Sequence, residues 1–77
     1  MEIKEFINNF AEQFDEVNAE ELSLDTKFKQ LDEWSSIVAL SVIAMVDEEY
    51  GVTLVGEDIR KSEAIRDLFT LVNEKIQ

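Results

Sequence analysis

The chain has no cysteine, no histidine and no proline, only two glycines, and seven basic residues against 18 acidic ones. Each absence removes a class of chemistry. Without cysteine there is no disulfide and no thiolate nucleophile, and without histidine there is no imidazole acid–base catalyst. Losing both also removes the usual zinc ligands. The glycines at 51 and 56 stand alone, so no glycine-rich phosphate loop exists. No apolar run approaches the ~20 residues that span a bilayer. The N-terminal stretch MEIKEFINNF is amphipathic, with acids among its first residues. It lacks the basic start and unbroken apolar block of a signal peptide. The expectation is a soluble cytoplasmic protein with no membrane span.

What is present is acid. The formal charge is −11 on 77 residues, a length that suits a single domain over 1–77. A domain of this size buries only ~60% of its unfolded surface, so the core must be thin. The charge repels nucleic-acid phosphates and anionic lipid heads, which sets both aside as partners. It attracts proteins with basic patches, with an on-rate that falls as salt rises. It also serves plain solubility, and composition alone does not separate these uses. With 45% apolar residues in clear periodic order, the chain can form a core.

Glu2 to Phe14 reads as a first helix, because Ile3, Phe6, Ile7, Phe10 and Phe14 fall on one helical stripe. A polar connection follows from about Asp15 to Trp34, with apolar anchors at Val17, Leu22, Leu24, Phe28 and Leu31. A connection this long in a compact domain is unusual, and its anchors predict that it packs across the helices. Ser36 to Tyr50 reads as a second helix, closed by Gly51 as a left-handed cap. Val42, Ile43, Val46 and Tyr50 make its core stripe, while Ile37, Leu40, Ser41 and Ala44 form a neighbouring strip that either packs or stays exposed. Gly51 to Gly56 reads as loop, and Glu57 to Ser62 as a single helical turn. Ser62 is the expected N-cap of a last helix, with Glu63 near its positive end and a stripe of Ile65, Leu68, Phe69, Val72 and Ile76. The predicted fold is all-α, a small three-to-four-helix bundle with a long loop between helices 1 and 2.

Little in this chain looks catalytic. The adjacent acids Asp15/Glu16, Glu20/Glu21, Asp32/Glu33, Glu48/Glu49 and Glu57/Asp58 read as solvated charges, not tuned acid–base pairs. DEEYGVTLVGED lacks the alternating oxygen ligands and closing glutamate of a calcium loop. The expectation is a non-enzyme with no metal site. One feature asks for a chemical explanation: Ser35 and Ser36 stand directly before Val38 to Val46, a run polar only at Ser41. A serine can cap a helix, satisfying an orphan N–H for about 1 kcal/mol. One residue further on, a serine hydroxyl points outward beside the remaining free N–H groups, where an attached phosphate would meet the positive end of the helix dipole. Ser35 as cap and Ser36 as attachment point would divide the work, but on these grounds plain capping is the stronger reading, because capping serines are common.

The stretch SSIVALSVIAMVDEEYGVTL resembles the corresponding stretch of the acyl carrier protein family, carriers that bear a 4′-phosphopantetheine arm. The family places Asp-Ser-Leu at the start of its second helix, followed by an aliphatic helix, acids, an aromatic residue and a short hydrophobic loop. Ser36 takes the place of the attachment serine, Ile37 that of the leucine, and DEEYGV that of the acidic helix end. The resemblance covers nearly the whole chain, from first helix to last. Ser35 departs from the family's aspartate, Trp34 from its small residue, and the second helix has no acid before Asp47.

The resemblance implies a carrier of acyl groups for fatty-acid or related lipid or polyketide synthesis. The arm would come from coenzyme A through a phosphopantetheinyl transferase, and its thiol would hold acyl groups as thioesters, so that the sulfur is borrowed. Ile37, Leu40, Ala44, Asp47 and Glu48 would form the docking surface for partner enzymes with basic patches. Val42, Ile43, Val46, Ile65 and Leu68 would shelter an acyl chain, or simply form the core. A monomer is expected. Two other classes stay open: a carrier-like acidic helical adaptor that binds protein partners unmodified, and an unrelated acidic bundle that binds divalent cations weakly.

Overall fold

The computed structural model describes residues 1–76. Four helices carry the fold: α1 (Ile3–Ala11), α2 (Ser36–Tyr50), α3 (Gly56–Lys61) and α4 (Ile65–Ile76), with no strand among the described residues. Helices α1, α2 and α4 pack against one another in pairs. The fold is the small all-helical bundle that the periodicity predicts.

Helix α1 is shorter than its apolar stripe. The last α-helical bond runs from the Glu12 amide to the Asn8 carbonyl, and Gln13 and Phe14 instead donate to carbonyls three residues back, at Phe10 and Ala11. The tightened turns still carry Phe14 into the core. A continuing helix would spend the amides of Asp15 and Glu16 on carbonyls four residues back. Here both go to the Glu33 carboxylate, at 2.8 and 2.9 Å. The stripe frays at its other end too, since Ile3 is exposed.

The long connection is packed, as its anchors suggest. It holds two short 3-10 turns, Ala19–Glu21 and Phe28–Gln30. Phe28 and Leu22 are buried, and Val17, Leu24 and Leu31 are half-buried against the core. Its backbone is held by α4: the amides of Ile65 and Arg66 donate to the carbonyls of Thr26 and Leu24, and the Arg66 guanidinium pairs with Asp25.

The core joins a set of touching aromatic rings to aliphatic side chains. Phe6, Phe10 and Phe28 are completely buried, with Phe10 and Phe28 edge to face at 5.6 Å. Phe6 meets Phe69 of α4 at 5.6 Å, and Phe28 meets Trp34 at 4.8 Å. Val42 and Val46 of α2, with Ile65, Leu68 and Val72 of α4, are the fully buried aliphatic residues. Each such side chain contributes roughly 1.5–3 kcal/mol on burial. Met45 joins them although the predicted stripe passes it by, while Ile43 and Tyr50 are only half-buried. The loop from Gly51 forms no strand, and it buries Val52 and Leu54.

Ser62 does not cap α4. It ends α3, where its buried hydroxyl donates to the Asp58 carbonyl at 2.9 Å. The Asp67 carboxylate does the capping work instead, accepting from the amides of Glu63 and Ala64. An exposed carboxylate solves the same orphan-amide problem from inside the first turn. These bonds hold the Asp67 carboxyl below its ordinary range.

Candidate functional site at the start of α2

The site is built by four consecutive residues. The carboxylate of Glu33 grips the two amides that follow α1. Trp34 is half-buried, edge to face with Phe28 and tilted over Phe14 at 6.4 Å. Ser35 is extended, at φ −157° and ψ 173°, and its Oγ accepts the amide of Val38 at 3.2 Å. Ser36 is the first helical residue, and it is exposed. Of the two serines, Ser35 is the cap.

Local chemistry at Ser36 suits an anion. The amides at the first helical positions have no acceptor within the helix, and they lie at the positive end of its dipole. The first turn of α2 contains no acidic residue. Ser35 supplies the cap oxygen that an aspartate would supply.

The far end of α2 is arranged oppositely. Asp47, Glu48 and Glu49 sit in its last turns, with no basic residue there. The negative end of a helix dipole favours cations, so these carboxylates work against the helix they sit on. Gly51 closes the helix at φ 66°, a left-handed conformation in which a side chain would be strained. The Tyr50 hydroxyl accepts from Asn9 of α1 at 2.9 Å. Its pKa is raised, mainly by burial; the Asn9 bond opposes this, and the charges of Glu5 and Glu49 add to it.

Between these ends runs the predicted docking face. Ile37 and Leu40 are 74% and 66% exposed. Ala44, Asp47 and Glu48 are exposed as well. Their spacing puts all five along one side of α2. Ser41 and Ala44 also line a shallow cleft against α1, together with Glu12, Glu48 and Glu49.

The residues proposed to shelter an acyl chain lie elsewhere. Val42, Val46, Ile65 and Leu68 have no exposure and pack into the filled core, with Ile43 at its edge. Admitting a chain among them would require the core to part. Among the described residues, no group of three or more acidic side chains converges in a way that could hold a metal ion.

Sequence reasoning missed the Glu33 clamp. Nothing in local spacing tells that a turn glutamate reaches amides 18 and 17 residues away. A scan of the known family models, of the curated proteins and of the solved structures gave no match to this chain.

Proposed function

We propose that the chain is an acyl carrier whose Ser36 hydroxyl receives a 4′-phosphopantetheine arm from coenzyme A. The observation that carries this reading is the division of labour between the serines: Ser35 satisfies the helix end, and Ser36 stands exposed beside it. The residues fit the group. An exposed hydroxyl on the first turn, orphan amides beside it and no acid in that turn all suit a phosphodiester.

The bound arm supplies a thiol that carries acyl groups as thioesters, which this cysteine-free chain cannot do itself. The chain's own residues do the rest. Ser35 holds the helix start. Ile37, Leu40 and Ala44 offer an apolar strip, and Asp47 and Glu48 offer charge to enzymes with basic patches. The carboxylates at the wrong end of the α2 dipole support a docking role, since helix stability would not place them there. On this reading the protein is not an enzyme. It is a cytoplasmic monomer and a substrate of a phosphopantetheinyl transferase, delivering acyl groups to synthase or transferase enzymes of fatty-acid, lipid or polyketide assembly. The exposed Ile37 and Leu40 favour one further reading, an adaptor that uses the same face without any arm.

The test is intact mass of the wild-type protein after incubation with coenzyme A and a broad-specificity phosphopantetheinyl transferase. The carrier reading expects one phosphopantetheine per chain, and an acylated arm when acyl-coenzyme A is the donor. A well-folded protein that gains no mass with several transferases contradicts it and favours the unmodified adaptor.

A further inference from the structure

We propose that Glu33 and Trp34 are positioning residues that set the register of α2, so that Ser35 is consumed as cap and Ser36 is left as the free hydroxyl; the consequence for arm attachment rests on the function proposed above. The problem they solve comes from the sequence. Two consecutive serines are both competent caps, so the helix has two neighbouring ways to start. In one, Ser35 caps and Ser36 is helical. In the other, the helix frays by one residue, Ser36 becomes extended, and its oxygen turns inward to accept an amide. Fraying by a residue is ordinary at helix ends. The second state hides the hydroxyl that a carrier must present.

The residues just upstream decide between these states. Glu33 uses both carboxylate oxygens on consecutive amides, Asp15 at 2.8 Å and Glu16 at 2.9 Å. Consecutive amides gripping one carboxylate make a small anion-binding concavity, and charge-assisted bonds of this kind are the stronger ones. Trp34 bears on Phe14, the residue immediately before those amides, and on the fully buried Phe28. A polar and an apolar contact therefore fix the same short segment, Phe14 to Glu16, from two adjacent positions. The Trp34 amide is also tied, donating to the Leu31 carbonyl at 3.0 Å. With 33 and 34 held, the chain enters Ser35 in one direction. It is there, extended, that Ser35 Oγ reaches Val38 and its carbonyl accepts the amide of Ala39 at 2.9 Å.

The clamp also couples two ends of the bundle. The amides it takes are those that would have lengthened α1, so the same carboxylate ends one helix and sets the start of the next. Glu33 and Trp34 touch no reacting atom and act only through Ser35 and Ser36.

The test uses the full chain with Glu33→Ala and Glu33→Gln, checked for unchanged overall helicity. Carbon chemical shifts of Ser36, read on unmodified protein, are expected to be helical in wild type and to move toward extended values in Glu33→Ala, with Glu33→Gln between them. Arm attachment is expected to slow by about fivefold in kcat for Glu33→Ala, the scale of a shift of about 1 kcal/mol between the two helix starts. KM for the carrier stays near wild type, because Ile37, Leu40 and Ala44 are untouched. Adding Ser35→Asp, an equally strong cap that cannot take the arm, restores both shift and rate. A purely stabilising clamp would leave the Ser36 shifts helical. Helical Ser36 shifts in Glu33→Ala with an unchanged kcat overturn the proposal. If the wild type accepts no arm, the functional reading falls, while the shifts, measured without any transferase, still decide the register.

Discussion

Helices α1 and α2 bury apolar residues by different rules. In α1 the apolar stripe and the buried face nearly coincide: Phe6 and Phe10 are fully buried, and the charged residues Lys4 and Glu5 face water. Helix α2 is apolar almost all round its first three turns, yet only Val42, Met45 and Val46 are buried. Ile37 and Leu40 stand in solvent. A helix that served only the core would replace such residues with polar ones. Burial explains α1 apart from Ile3 at its frayed start. In α2 there is a surplus of exposed apolar side chains at one end and misplaced carboxylates at the other, and function is the natural place for it.

That contrast can be broken by substitution. The largest effect is expected from Phe10→Ala or Phe28→Ala, which empty the aromatic core at a cost of about 3–5 kcal/mol, measured by denaturant unfolding. In so small a domain the variants should be largely unfolded on mild heating. Ser35→Ala removes the α2 cap and should cost about 1 kcal/mol in the same measurement. Ser36→Ala has no such bond to lose and should stay within about 0.5 kcal/mol. Leu40→Ser should likewise stay within about 0.5 kcal/mol, although Phe6 or Phe10 in α1's buried face could not be treated so. A loss of several kcal/mol at Leu40 would mean that α2 obeys the rule of α1, and the docking face would lose its support.

Acid and salt give smaller effects. The folded-state pKa of Asp67 is lowered by the amides of Ala64 and Glu63. Its contribution is therefore present above the ordinary aspartate pKa and fades as pH falls through the lower, folded value. Asp67→Asn should lower the melting temperature at neutral pH, and this gap should close in strong acid. The effect is small because Asp67 is exposed and solvent screens it. Added salt should raise the melting temperature modestly, by relieving repulsion within a chain of charge −11. A melt insensitive to salt would deny that repulsion matters.

The parts of the fold that were legible in the sequence are those bracketed by strong local chemistry. Helix α2 begins at its serine cap and ends at a glycine that takes the left-handed turn, and both bounds match the expected ones. The all-α class followed from helical spacing and the absence of any pairing strand. The end of α1 was not legible, because Phe14 fits the helical stripe and is buried, while the turn that buries it is not α-helical. What stops α1 is a carboxylate far along the chain. Ser62 misled for a related reason. Its type suits an N-cap, but its hydroxyl serves the end of α3, and the Asp67 carboxylate in the first turn of α4 takes the amides. In the site, the order of the two serines suggested Ser35 as cap and Ser36 as its exposed neighbour, but both residue types suit a cap, and it is the bond from Val38 to Ser35 that assigns the roles. Whether Leu40 and Ala44 pack or face water could not, since apolar residues around a helix suit either, and only the placement of α1 and α4 decides.

The central claim is that Ser35 holds the helix and Ser36 holds the cargo. Its most direct test is intact mass, after coenzyme A and transferase treatment, on Ser35→Ala and Ser36→Ala side by side. The account predicts that Ser35→Ala still gains one phosphopantetheine and that Ser36→Ala gains none. Loss of the arm in Ser35→Ala with retention in Ser36→Ala would contradict it.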